Sequence, residues 1–89
     1  MKREDVYKLI DGERDYQEIR WSLSTQKGPH IHTPEEWIIY MEDYINEAKH
    51  LLSRNAIPDC YPQAMEILRK VTAMGICAME QNETKPRIV

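Results

Sequence analysis

A short turn between two long helical segments limits the fold of this chain more than any other feature. The turn is residues 55–59 (NAIPD), and a connection of this length returns the chain antiparallel. The segment before it starts with Thr33 as N-cap, Pro34 in the first turn and Glu36 completing a T-x-x-E capping box. Its apolar residues recur at spacings of four and three and predict one buried face: Trp37, Met41, Tyr44, Ala48 and Leu51. We therefore expect an antiparallel helical hairpin, with helices over about 33–54 and 61–81.

A further helical segment precedes the hairpin, over about residues 4–22. Its apolar residues form a broken stripe, and Gly12 inside it can kink the helix at a cost of about 1 kcal/mol relative to Ala. The stripe consists of Val6, Leu9, Ile10, Tyr16 and Ile19. No strand pattern and no internal repeat occurs. The 89 residues therefore predict one all-α domain, 1–89, with a frayed tail over 82–89.

Charge and composition narrow the choice of partners. The net charge is −3, so the chain lacks the basic field that would attract duplex nucleic acid or an anionic membrane. The longest apolar run, residues 71–79, is too short to span a bilayer, and the first residues do not resemble a secretory leader. Cys60 and Cys77 lack the spacing of a metal site or a CxxC motif, which is typical of buried thiols in a reducing compartment. We expect a cytoplasmic protein.

Residues 71–79 (VTAMGICAM) carry no charge on any side of the third helix. A helix that is apolar all round must be covered on all sides. Two further helices cannot do this in a monomer of this size. We therefore expect a homo-oligomer. The alternative is that the first helix and the tail cover this segment within one chain.

The end of the first helix combines cations with a flat ring. Arg14, Gln17, Arg20 and Trp21 lie within two turns, and a nucleotide needs cations for its phosphates and an apolar surface for its base. Lys27 and His32, in and after the following loop, can close over such a ligand. The alternative is structural: Trp21 closes the core, the charged residues of this helix pair with one another, and His32 packs near Glu36.

These residues also carry a resemblance to a known family. E-R-x-x-Q-x-x-R-W over residues 13–21, a short loop and then H-x-P-E-E-W over 32–37 resemble small phage-encoded relatives of the MazG-like all-α nucleotide pyrophosphohydrolases. The resemblance extends over about residues 9–81. It implies an all-α fold, a nucleotide ligand and, for a phage protein, the host cytoplasm.

The resemblance also implies where Mg²⁺ would bind, and this chain departs from that pattern. Members of the family hold the ion with carboxylates arranged as ExxE on one helix and ExxD on the next. Here Asp43 takes the place of the first acid, but the second acid, three residues later, is replaced by Asn46. Glu47 lies one residue beyond that position. On the third helix Glu66 takes the first place and Arg69 replaces the Asp. An arginine repels a cation, so we expect no metal cofactor and no catalytic residues.

The same replacement favours binding of a ligand without metal. Arg69 and Lys70 facing the second helix can neutralise phosphates, and Asp43 and Glu47 can then bind ribose hydroxyls or base edges. The alternative is that these four residues form an ordinary solvated surface on which Glu66 and Lys70 pair.

The leading hypothesis is therefore non-catalytic binding and sequestration of a small signalling nucleotide. Family resemblance implies a cyclic or ADP-ribose-type nucleotide and a phage anti-defence role. One alternative is an active Mg²⁺-dependent pyrophosphohydrolase that uses Asp43, Glu47 and Glu66. A second is a protein-binding inhibitor of a host factor, with Trp and Tyr side chains at the interface.

Overall fold

The computed structural model describes residues 1–24, 31–53 and 60–88. These residues form three α-helices, α1 (Arg3–Ser24), α2 (Pro34–Ser53) and α3 (Cys60–Asn82), and contain no strand. The all-α prediction is confirmed, and the helices begin and end within two residues of the predicted bounds. Gly12 does not interrupt α1. The predicted turn at 55–59 and the predicted site residue Lys27 lie outside the described residues.

The start of α2 is fixed by the predicted capping box. The Thr33 N–H donates to Glu36 Oε1 over 3.1 Å, and the Glu36 N–H donates back to Thr33 Oγ1 over 3.2 Å. The Thr33 hydroxyl also donates to Glu36 Oε1 over 3.1 Å. The bonds that the Thr33 N–H and hydroxyl donate to this carboxylate lower the pKa of Glu36 below its ordinary value of 4.5. The stability that these bonds give to the folded protein is therefore fully present above pH 4.5, and it is lost as the pH falls through the pKa of Glu36 in the folded state.

α3 is the helix against which the other two pack. Trp37 from α2 and Met74 and Cys77 from α3 form the buried centre of the core, with Met41 and Tyr44 half-buried around it. The predicted inward face of α2 is thus confirmed. Across the described residues, the backbones of α1 and α2 each lie close to α3 but not to each other, and Trp21 of α1 reaches Trp37 of α2 through its side chain. The molecule is correspondingly flat, 41 × 40 × 23 Å, with a radius of gyration of 14.8 Å where a compact chain of this length has about 12 Å.

The inward face of α1 is more polar than predicted. Of the apolar stripe only Ile10 is buried, whereas Val6, Leu9, Tyr16 and Ile19 are exposed. The buried positions run from Ile10 through Arg14 to Gln17 at spacings of four and three, and Trp21 continues them as a half-buried residue. The predicted stripe was wrong because it admitted only apolar side chains.

Arg14 attaches α1 to α3 through a bidentate ion pair. It is 8% exposed, and its Nε and Nη2 donate to the two carboxylate oxygens of Glu80, each over 3.0 Å. Nη2 also donates to Glu18, one turn along α1. Burial alone would lower the pKa of Arg14, but the bonds to Glu80 and Glu18 raise it above its ordinary value. The guanidinium is therefore always charged, and its partner on α3 is indispensable.

Both cysteines are buried free thiols, as predicted. They lie on the same helix, about 25 Å apart along it, so they cannot pair within one chain. Burial raises the pKa of the Cys77 thiol, against the opposing effect of Arg14, and this thiol is therefore neutral. None of the helices in the described residues has an apolar stretch sufficient to cross a membrane.

The charge-free segment of α3 is covered more completely than its composition indicated. Val71, Ala73, Met74 and Cys77 are buried within the single chain, whereas Met79 is exposed. The expectation that α1 and α2 cannot cover this segment is wrong for its buried residues. Exposed apolar side chains recur instead at helical spacing along one side of α2 and one side of α3, which together are called the back face. This back face consists of Ile38, Ile45 and Leu52 from α2 and Tyr61, Met65, Leu68 and Met79 from α3.

Removing the partner of Arg14 tests this account of the fold. We expect Glu80→Ala to lower the free energy of unfolding by about 1–3 kcal/mol, because it leaves a buried guanidinium with Glu18 as its single carboxylate. Glu66→Ala, at an exposed position of the same helix, is the matched control and should change it by less than about 0.5 kcal/mol. Urea denaturation followed by circular dichroism measures both. Equal stability of the two variants would show that α1 is held by other contacts.

Candidate functional site

A cleft of about 820 Å³ lies between α1 and α2, with α3 as its floor. It exists because the backbones of the two flanking helices lie close to α3 but not to each other. Residues from all three helices and from the entry to α2 line it: Glu13, Tyr16, Gln17, Arg20, Trp21, His32, Trp37, Tyr40, Asp43, Tyr44, Lys70 and Met74. The volume is within the range of small-molecule sites, about 300–1,000 Å³.

Aromatic rings form one end of the cleft. Trp21 from α1 and Trp37 from α2 have ring centroids 5.8 Å apart, inclined at 42°. The His32 ring meets Trp37 and Tyr40 edge to face, with centroids 5.1 Å away in both cases. His32 Nδ1 is also 3.5 Å from Glu36 Oε2, which confirms the predicted packing near Glu36. Trp37 itself is only 2% exposed, so the apolar wall of the cleft is formed chiefly by Trp21, His32 and Tyr40, which are half-buried or exposed.

This wall is held in place from the end of α3. Gln81 Oε1 accepts hydrogen bonds from the Trp37 indole Nε1–H over 2.9 Å and from the His32 backbone N–H over 3.0 Å. Asn82 Nδ2 donates to the His32 carbonyl over 3.2 Å. Both residues are far from α2 in sequence, so no local pattern predicted these bonds. They orient the indole and the histidine that line the cleft.

Two cationic side chains, Arg20 and Lys70, also line the cleft. Arg20 is exposed and Lys70 is half-buried, with its Nζ 4.6 Å above the centre of the Tyr44 ring. No carboxylate of the described residues forms an ion pair with either of them. Asp43 lines the cleft as an exposed acid. Two cations thus face the cleft without a carboxylate partner in the described part of the chain.

Glu13 brings a second carboxylate to the cleft, but Arg69 occupies it. The Arg69 Nε donates to Glu13 Oε1 over 2.8 Å, and the Glu13 side chain is only 10% exposed. Arg69 itself does not line the cleft. Its charge therefore offsets an acid that would otherwise repel an anionic ligand.

Gln17 lies in the floor of the cleft and is 4% exposed. Its Nε2–H donates to the main-chain carbonyl of Lys70 over 3.0 Å. Its Oε1 is buried and accepts no hydrogen bond from the described residues. Buried acceptors without a donor are uncommon in folded proteins.

The cleft brings together part of the predicted site. Six predicted residues line it: Gln17, Arg20, Trp21, His32, Asp43 and Lys70. Three do not: Arg14 is held by Glu18 and Glu80, Arg69 is held by Glu13, and Glu47 is exposed elsewhere on α2. The lining residues that were not predicted as site residues are Glu13, Tyr16, Trp37, Tyr40, Tyr44 and Met74. Trp37 and Tyr44 could be found in the sequence only as core residues, because the core and the wall of the cleft share one helix face.

The alternative metal set is not assembled in the described residues. Across residues 1–24, 31–53 and 60–88, no three His, Cys, Asp or Glu side chains lie close enough to hold a metal ion together. Asp43, Glu47 and Glu66 therefore form no such group by themselves.

Comparison with family models, with curated proteins and with solved structures gives no match for this chain.

Proposed function

We propose that this chain binds a small nucleotide in the cleft and holds it without hydrolysing it. The observation that carries the proposal is the placement of Arg20 and Lys70, which no described carboxylate neutralises, beside a wall of aromatic rings. Phosphates need cationic donors, and a base needs a flat apolar surface. The two requirements are met by different sides of one cleft.

The other polar groups are compatible with such a ligand. Asp43 can accept hydrogen bonds from ribose hydroxyls or a base amino group, and the ion pair with Arg69 removes the negative charge of Glu13 from the cleft. A volume of about 820 Å³ lies in the upper part of the range for small-molecule sites, which leaves room for a nucleotide of more than one phosphate or sugar unit. A cyclic or ADP-ribose-type signalling nucleotide, which the family resemblance implies, is of this size.

Sequestration without turnover is the mode of action that we propose. Arg69 takes the place of a metal ligand in the family pattern, and the cleft supplies its own cations to the phosphates. A protein that only has to hold a signalling nucleotide needs affinity and no catalytic group. A phage anti-defence role, in which the protein sequesters a signalling nucleotide made by host defence, follows from the resemblance alone and remains a prediction.

The two cations can be tested individually. We expect Arg20→Ala and Lys70→Met each to weaken nucleotide binding about ten- to a hundredfold, because each removes a charge-assisted hydrogen bond worth about 1.5–3 kcal/mol. Isothermal titration calorimetry measures the affinity for AMP, ADP-ribose and cyclic mono- and dinucleotides. A melting curve of each variant separates loss of binding from loss of fold.

Arg3→Ala and Lys49→Ala are matched controls, because both positions are exposed and lie outside the cleft. They should bind as tightly as the parent protein. If the Arg20 and Lys70 variants also bind as tightly as the parent, the ligand does not occupy this cleft.

A recovery experiment tests the absence of turnover. We expect the bound nucleotide to be released intact when the complex is denatured by heat and the supernatant is chromatographed. EDTA should leave the affinity unchanged, because Arg20 and Lys70 supply the positive charge. Recovery of cleavage products, or affinity that collapses with EDTA and returns with Mg²⁺, would favour the pyrophosphohydrolase alternative instead.

We also propose that the chain self-associates through its back face. Seven large apolar side chains are exposed there. Large exposed apolar patches mark interaction surfaces, and a second copy presents the same surface to this one.

Charged substitutions on the back face test the assembly. We expect light scattering to give a dimer or larger oligomer for the parent chain, and Ile38→Glu combined with Met65→Glu to give a monomer. Leu9→Glu, at an exposed apolar position of α1, is the control and should leave the assembly intact. A parent chain that is monomeric at micromolar concentration would contradict self-association and leave the face free for a different protein, as the inhibitor alternative requires.

A further inference from the structure

The floor of the cleft contains an acceptor that no described residue satisfies. Gln17 is 96% buried, its Nε2 is bonded to Lys70 O, and its Oε1 is left without a donor. The orientation of the amide is set by chemistry, because a main-chain carbonyl can only accept. Turning the amide over would place its oxygen against Lys70 O and break the bond of 3.0 Å. The oxygen therefore has to be the unpaired atom.

We propose that Gln17 Oε1 accepts a hydrogen bond from the exocyclic amino group of the ligand's base, and so selects nucleotides whose base carries such a group (adenine, cytosine or guanine) over those whose base lacks it, such as uracil or hypoxanthine. The inference rests on the proposed binding of a nucleotide in the cleft. An amino group is a donor of the right kind, and its arrival breaks no existing bond of the protein. The oxygen has almost no surface exposed to solvent. A side chain that lines the cleft therefore has to move before the base can reach it.

The neighbours of Gln17 match the rest of a nucleotide. Trp21 is one turn further along α1, on the same face, and lines the same cleft. Its indole can stack on the base whose edge meets Gln17. Lys70 contributes its backbone oxygen to the Gln17 amide and carries its Nζ over Tyr44. The base edge, the base face and a cation for phosphate are thus served by three adjoining residues.

Loss of the acceptor is costly only when a ligand donor depends on it. A site built around a hydrogen bond discriminates strongly against a ligand that lacks the matching group. We therefore expect the parent protein to bind AMP about tenfold or more tightly than purine riboside 5′-monophosphate, which is AMP without its amino group. CMP should likewise bind more tightly than its own des-amino analogue.

Gln17→Met completes the test, because methionine is of similar length and has no strong acceptor. This variant should bind AMP and purine riboside 5′-monophosphate equally, and its affinity for the latter should equal that of the parent protein. Calorimetry gives all four affinities. A melting curve shows whether the variant folds, and the comparison of AMP with its des-amino analogue on the parent protein stands even if it does not.

The outcomes separate this inference from the proposed function. Equal affinity of the parent protein for AMP and its des-amino analogue would overturn the role of Gln17 while leaving nucleotide binding in place. A preference for AMP that survives in Gln17→Met would assign the amino group to another residue and overturn it as well. If no nucleotide of the panel binds to the parent protein, the proposed function and this inference fall together.

Discussion

The pairing of Arg14 with Glu80 is the interaction on which the arrangement of the molecule depends. A short chain usually attaches a helix by an apolar stripe, but here the inward face of α1 carries a guanidinium and an amide. A buried charge tolerates only a narrow range of positions, because its partners must stay in hydrogen-bonding geometry. The pair thus fixes where α1 sits along α3, with its backbone separated from that of α2. The cleft is the space that this separation leaves.

The hairpin could be predicted from the sequence, whereas the docking of α1 could not. Thr33, Pro34 and Glu36 are local signals for the start of α2, and the apolar period from Trp37 onward gave its inward face. On α1 the apolar residues pointed to the wrong face. The partner of Arg14 is on another helix, and nothing near Arg14 in the sequence distinguishes a residue buried against Glu80 from one that reaches for phosphate.

The same limit applies to the candidate site. Residue type was enough to select Arg20, Trp21 and Lys70, which the fold places in the cleft. It was not enough to separate Arg69 from them, because the neutralising carboxylate of Glu13 comes from a different helix. The role of Gln81 was beyond prediction for a related reason: the two hydrogen bonds that its Oε1 accepts join the end of α3 to the start of α2. Local spacing predicts helix faces, but pairing between helices decides which charges remain available.

The position of the indoles has a spectroscopic consequence. The chain contains two tryptophans, and both line the cleft with ring centroids 5.8 Å apart. Indole emission from this protein therefore arises entirely at the cleft. Two rings at this separation also couple their excited states, which produces a paired band in near-ultraviolet circular dichroism that depends on the angle between them. The protein thus carries an intrinsic optical reporter of the geometry of the cleft, with no label attached.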